Sequence, residues 1–177
     1  LPTRSRQAIA GLKYSQGLCL LRLGQSWGAD AAHLLAELAR QRVNLVFAGG
    51  GAEADGPGDI WLCLHEEYLV QAWQTARTRA EDRELTSPEV LAPVALVTIY
   101  PLGPGLSLHA RVLVGLAGAG LTPLALGTSL SALVVALPQD ELAKALDALQ
   151  EFLELPSGME PAPQPVKAMP VAPRRQP

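Results

Sequence analysis

Three histidines, two cysteines and a scatter of carboxylates are the groups in this chain that could bind a metal or attack a bond. His33, His65 and His109 stand far apart, without the short paired spacing that sets two ligands on one ion. Cys63, His65 and Glu66 come nearest to a cluster. In a strand Cys63 and His65 share a face, but two ligands do not hold a metal. Ser-His-Asp catalysis would need a strained nucleophile turn, and no such catalysis is expected. Gly49-Gly50-Gly51 lacks the Lys-Ser/Thr pair of a phosphate loop and reads as a flexible hairpin connection. What is left is binding. A glycine-bearing turn that opens a helix offers free amides to a carboxylate, and nearby side-chain oxygens can hold an ammonium. Gly24-Gln25-Ser26-Trp27-Gly28, with Asp30 following, is one such turn; Leu102-Gly103-Pro104-Gly105 is a second. Asp30 also suits a helix cap, because its carboxylate accepts from free first-turn amides. Trp27, a large aromatic in a turn, reads as a lid over a pocket or as an interface anchor.

The elements that must hold these turns are short. Of the 177 residues nearly half are apolar and only 5% aromatic, so the core must be built from Leu, Val and Ala. The net charge of -3 is uneven: both ends are basic, and residues 17–155 sum to -8. Such a body repels phosphate backbones, which argues against a nucleic-acid partner. Cys19 and Cys63 sit inside apolar runs and read as buried thiols in a reducing compartment, so the cytoplasm is expected. From Val112 to Gln139 there is no charged residue. Gly115, Gly118, Gly120, Pro123, Gly127 and Pro138 break that stretch at turn-like intervals, whereas a membrane span needs about 20 apolar residues in one element. No membrane partner and no cofactor are expected.

Along the chain, strand-length apolar runs alternate with amphipathic helices. Gly17–Leu23 is a strand, followed by a helix with Ala31, Leu34, Leu35 and Leu38 on one stripe. Val43–Ala48 and Asp59–Leu64 are strands joined by the glycine-rich Gly49–Gly58, and a second helix turns Leu69, Ala72, Trp73 and Ala76 inward. The order then recurs. Val94–Tyr100 is a strand, a helix runs through Val112, Leu113 and Leu116, and Leu121–Leu126 and Ser131–Leu137 are strands around a Gly127-Thr128-Ser129 turn. Pro138 starts a last helix bearing Leu142, Leu146, Leu149 and Leu153. A repeat of about 80 residues means two copies of one supersecondary unit. Each reads as a ferredoxin-like β-α-β-β-α-β layer, an α+β fold with helices on one face of an antiparallel sheet.

Each copy needs a fourth strand. After the last helix the chain runs into Pro156, Pro161, Pro163, Pro165, Pro170, Pro173 and Pro177, which predicts a disordered tail over 156–177. Gln7–Lys13 is the one unassigned strand-like piece, so it is expected to complete the second unit; the first unit's fourth strand is expected near Arg83–Leu91. The division is then a lead-in at 1–16, units at 17–91 and 92–155, and the tail. The halves are intertwined.

AIAGLKYSQGLCLLRL (residues 8–23) resembles the lead-in of the aspartate kinase regulatory region, where a short strand and a Tyr precede the first ACT strand. Residues 94–155 resemble that family's second ACT domain, through HARVL, GLAGAGLTPLAL, GTSLSALVVAL and the closing amphipathic helix. The resemblance implies a tandem ACT pair that dimerises with continuous sheets and binds an amino-acid effector, lysine or threonine, between a first β-α turn and a neighbouring second strand. It implies effector contacts from Gln25, Ser26, Trp27, Gly28 and Asp30 in the first turn and from Asn44 on the second strand. In the second unit it implies Leu102, Gly103, Gly105, Thr128 and Ser129. Gln25 and Leu102 stand where the family carries an acid. The kinase's catalytic half lies outside these 177 residues, so the chain is not expected to be an enzyme. Three readings follow: an effector-binding regulatory module, a degenerate pair that only dimerises or scaffolds, or a regulatory fragment or small subunit of an aspartate kinase.

Overall fold

The computed structural model describes residues 6–53, 56–102, 106–129 and 131–163. In chain order it has β1 (Gln7–Leu23), α1 (Gly28–Arg40), β2 (Leu45–Glu53), β3 (Gly56–His65), α2 (Leu69–Arg83) and β4 (Glu89–Pro101). Then follow α3 (Leu106–Gly118), β5 (Ala125–Thr128), β6 (Leu133–Pro138), α4 (Leu142–Phe152) and the two-residue β7 (Leu153–Glu154) and β8 (Ala162–Pro163). The strands form one sheet in the order β2-β3-β1-β4-β6-β5.

Two strands serve both halves. The pieces expected at Gln7–Lys13 and Gly17–Leu23 are one strand, β1, because a bulge between Ser15 and Leu18 bends the chain without ending its pairing. Gly17 takes the positive φ (69°) at that bend, and its N–H donates to Gln139 Oε1 at 2.8 Å. The first part of β1 pairs with the end of β4, from Ile9 opposite Pro101 to Ser15 opposite Leu96. The last part pairs with the start of β4, ending at Arg22 opposite Glu89, and with β3 on its other side. Each unit is thus a four-stranded ferredoxin-like sheet, β2-β3-β1-β4 and β5-β6-β4-β1, and the N-terminal strand completes the second.

Several boundaries differ from the sequence expectation. Helix α2 runs to Arg83, and the left-handed Glu84 (φ 55°) ends it, so the first unit's fourth strand begins at Glu89. The glycine-rich Gly49–Gly58 is largely strand, since β2 and β3 continue into it until Glu53 faces Gly56. Leu121–Leu124 is irregular, and its strand starts at Ala125. The tail expected to be disordered carries a turn at Ser157–Gly158, and Ala162–Pro163 lies parallel to Lys13–Tyr14 on the free edge of β1.

Alternation along the strands sorts the interior into three clusters. Cys19, Leu21, Leu23, Leu62 and Leu64 meet α1 and α2; Ala72, Ala76 and Ala80 bring α2 close to the sheet. Ala95, Val97, Ile99, Val135 and Leu137 meet α3 and α4, together with Ile9 and Leu12 from β1. The opposite faces of both half-sheets share a third cluster, with Leu18, Leu20 and Cys63 from one side and Leu96 and Ala136 from the other. At its rim the ring of Phe47 on β2 occupies the place a side chain at Gly127 on β5 would need. On α3 Val112 and Leu116 are buried, and Leu113 is 41% exposed.

Burial pushes the thiol of Cys19 up to about 11 and that of Cys63 up to about 12. A raised folded-state value stabilises fully below the unfolded thiol's ordinary value near 9 and is lost as pH climbs through the folded one. Stability is therefore expected to fall above pH 9, by about 1 kcal/mol per pH unit for each thiol. Urea titrations at pH 8, 9, 10 and 11 test this, with Cys63→Ala expected to flatten the slope.

Candidate functional site

At the C-terminal end of β1 the chain enters the short turn Gln25–Trp27 and then α1. Beside this turn is a cleft of about 500 Å³ whose lining includes Arg22, Gln25, Ser26, Asp59, Thr86 and Glu89. Strand register builds its charged wall, because Arg22 lies opposite Trp61 on β3 and Glu89 on β4. Its guanidinium donates through Nε to Asp59 Oδ2 at 2.6 Å and through Nη1 to Glu89 Oε2 at 3.0 Å, and lies 5.5 Å from the centre of the Trp61 ring. Hydrogen bonds to Asp59 first, then to Glu89, hold the guanidinium above its ordinary value. Two carboxylates face one cation, which leaves the wall one negative charge in excess.

The turn itself is tied to Thr86, in the connection between α2 and β4. Ser26 Oγ accepts from the Thr86 N–H at 2.8 Å and donates to Thr86 Oγ1 at 2.9 Å. The Trp27 indole N–H donates to the Thr86 carbonyl at 2.9 Å. A Cβ at Gly24 would lie 3.3 Å from the Thr86 side chain, which would have to give by a few tenths of an ångström.

The expected site residues separate into groups. Gln25 and Ser26 are exposed in this cleft. Trp27 is neither lid nor interface anchor: its side chain is fully buried in the cluster under α1 and α2. Gly28 opens α1 at a positive φ of 32°. Asp30 does not cap the helix, which begins two residues earlier without a side-chain cap. Asp30 Oδ1 instead accepts from Arg79 Nη1 at 2.9 Å, joining α1 to α2. Asn44 is exposed just before β2, level with the start of the unit's first strand, at the opposite end of the half-sheet from Gln25.

In the second unit Gly103 and Gly105 lie outside the described residues, and Leu102 is exposed. Thr128 Oγ1 is 2.6 Å from His109 Nε2 on α3. Ser129 Oγ accepts from the N–H of Ala132 at 3.1 Å, closing its own hairpin. Both line a second cleft of about 460 Å³, with Phe47, Gly49, Gly50 and Leu126 among its walls. The residues missed were Arg22, Asp59, Thr86 and Glu89. An arginine at the end of the apolar run GLCLLRL, with Asp59 opening the strand DIWLCL, was the available signal. It becomes readable only once those two strands are paired.

Among the described residues no group of three His, Cys, Asp or Glu side chains could hold a metal. None of their helices is long and apolar enough to cross a membrane. No protein-family model matches the chain, and no curated protein sequence matches it. Solved structures do. The regulatory subunit of aspartate kinase from Thermus thermophilus superposes with a TM-score of 0.72 at 17% identity, over 84% of this chain and 100% of that one. The corresponding subunit from Thermus flavus gives 0.71 at 16% identity, with the same coverage. Aspartate kinase from Synechocystis gives 0.70 at 17% identity, over 86% of this chain and 28% of that enzyme. The chain has the tandem ACT fold of aspartate kinase regulatory subunits.

Proposed function

We propose that the chain is a non-catalytic regulatory module that binds a free amino acid in the Arg22–Ser26–Glu89 cleft, acts as a homodimer and passes occupancy to an aspartate-kinase-type catalytic partner. The observation that carries the reading is the cleft's mixed wall. A zwitterion needs a cation for its carboxylate and anions for its ammonium, and Arg22, Asp59 and Glu89 supply both within one ion-paired group. The excess negative charge favours a second ammonium, so of lysine and threonine it is lysine that fits. Thr86 and Ser26 tie the α2–β4 connection to the turn, and an occupant beside Arg22 on β1 and Glu89 on β4 would bear on both strands shared by the two units.

The test is a thermal-shift screen against the twenty amino acids, repeated on Asp59→Asn. Lysine should give a saturating rise, since a ligand at 100 times its Kd adds about 2.7 kcal/mol. Asp59→Asn should weaken that affinity about tenfold or more. A flat response to all twenty would leave the scaffold reading, which one observation favours. Ser26 and Thr86 already satisfy one another, and Ser129 satisfies its own hairpin, so several expected contacts are spent inside the chain.

A further inference from the structure

The charged wall of the Arg22 cleft is one end of a longer row. Glu89, Arg22, Trp61 and Gly49 stand opposite one another on β4, β1, β3 and β2, in the order those strands pair. The next row is Leu91, Leu20, Cys63 and Phe47. Residues two apart along a strand project to the same face. Both rows therefore face the interior between the half-sheets, where Leu20, Cys63, Leu91, Trp61 and Phe47 pack in the third cluster.

The first row ends at the second cleft, where Gly49 is part of the wall. The Phe47 ring lies across it, since a Cβ at Gly49 would come within 2.8 Å of the ring. The same ring fills the place of a side chain at Gly127, so it bridges β2 to β5 where the outer strands of the two units meet. Two glycines make its seat. Trp61 thus stands between a cation on β1 and a backbone without a side chain on β2. From Arg22 to Gly49 is two strand spacings, about 10 Å. The Arg22 guanidinium lies 5.5 Å from the Trp61 ring, a cation–π distance. Its Nε, Nη1 and Nη2 all face Asp59 or Glu89. A ligand carboxylate that takes two of these donors has to turn the guanidinium into the cleft and off the ring. Ligand and Trp61 then compete for one cation, which is the differential contact that a population shift requires.

We propose that Trp61 and Phe47 relay occupancy of the Arg22 cleft to the seam between β2 and β5. The relay rests on the amino-acid reading above and names the regulation of that site. In the unliganded chain Arg22 holds the Trp61 ring, and Phe47 stays seated on Gly127. With a carboxylate on Arg22, Trp61 gives toward Gly49, where no Cβ resists it, and the Phe47 ring leaves Gly127. The seam between the two units then loosens.

The experiment is hydrogen exchange on the full chain, read at residues 45–50 and 125–128, with α4 as the unaffected reference and circular dichroism to confirm folding. Saturating lysine should speed exchange in both segments about three- to fivefold, the range of one cation–π contact. Arg22→Leu should do the same without lysine, because it too takes the cation from Trp61. Arg22→Lys, which keeps a cation there, should stay within about twofold of the wild type. By reciprocity Phe47→Ala, on the seam, should tighten lysine binding by about the same three- to fivefold in calorimetry. A merely structural role for the ring predicts no such tightening. Lysine bound with unchanged exchange at 125–128 would overturn the relay, and so would wild-type exchange in Arg22→Leu. Faster exchange in Arg22→Leu with no lysine binding would support the relay and sink the amino-acid reading. Should Phe47→Ala fail to fold, Gly127→Ala, whose Cβ displaces the Phe47 ring, gives the same reading.

Discussion

Replacing Trp27 with alanine is expected to cost the fold about 3–5 kcal/mol, the range for emptying an aromatic site in a core. The indole is fully buried among Leu23, Leu34, Leu62 and Ala76 in the first unit's cluster, and its N–H holds the Thr86 carbonyl. The substitution therefore opens a cavity and leaves that carbonyl to find another donor. For a chain of this size the melting midpoint should drop by roughly 10 °C or more. Trp27→Phe separates the two contributions, since it refills most of the volume and loses only the hydrogen bond, for about 1–2 kcal/mol. A midpoint unchanged by Trp27→Ala would mean that the side chain is not in the core.

Removing residues 1–14 is expected to unfold the second unit although most of its own sequence is left untouched. The deletion takes away Ile9 and Leu12, buried in the cluster under α3 and α4, and all β1 pairing from Ile9–Pro101 to Tyr14–Val97. Each buried aliphatic contributes about 2–5 kcal/mol, and a domain's whole margin is about 5–15 kcal/mol. Hydrogen exchange should show β6 and α4 losing protection. A synthetic peptide of residues 6–16 should restore it by refilling the strand position. Full protection of β6 in the truncated chain would refute the strand exchange.

Much of this architecture is legible in the sequence because its signals are repetitive. Leucine and valine spacing fixes strand and helix type, the recurrence of the order reveals two units, and a proline-rich ending leaves the second unit short of a strand that only Gln7–Lys13 could supply. The site is less legible. The position of Trp27 in a turn suggests a lid or an anchor, but the turn folds back under α1 and carries the indole inward. Asp30 suits a cap because a carboxylate near a helix start is a common one; its partner, Arg79, lies on a helix packed alongside, which no local pattern reveals. Arg22, Asp59 and Glu89 meet only through the pairing of three strands distant in sequence. Local chemistry gives local roles, and charge clusters made by register have no local signature.

The shared strands also bear on how the molecule is made. Lys13 pairs with Thr98, so Gln7–Tyr14 cannot find its partner strand until the intervening first unit has been synthesised. At about 5–20 residues per second that is a wait of several seconds. Throughout it Gln7–Tyr14 is an apolar strand with both edges open, while β3 and the C-terminal part of β1 can already associate. Folding dominated by such distant pairings is slow. The early, half-made chain is therefore the stage most exposed to aggregation, and the stage at which a chaperone that holds extended apolar segments would have the most to do.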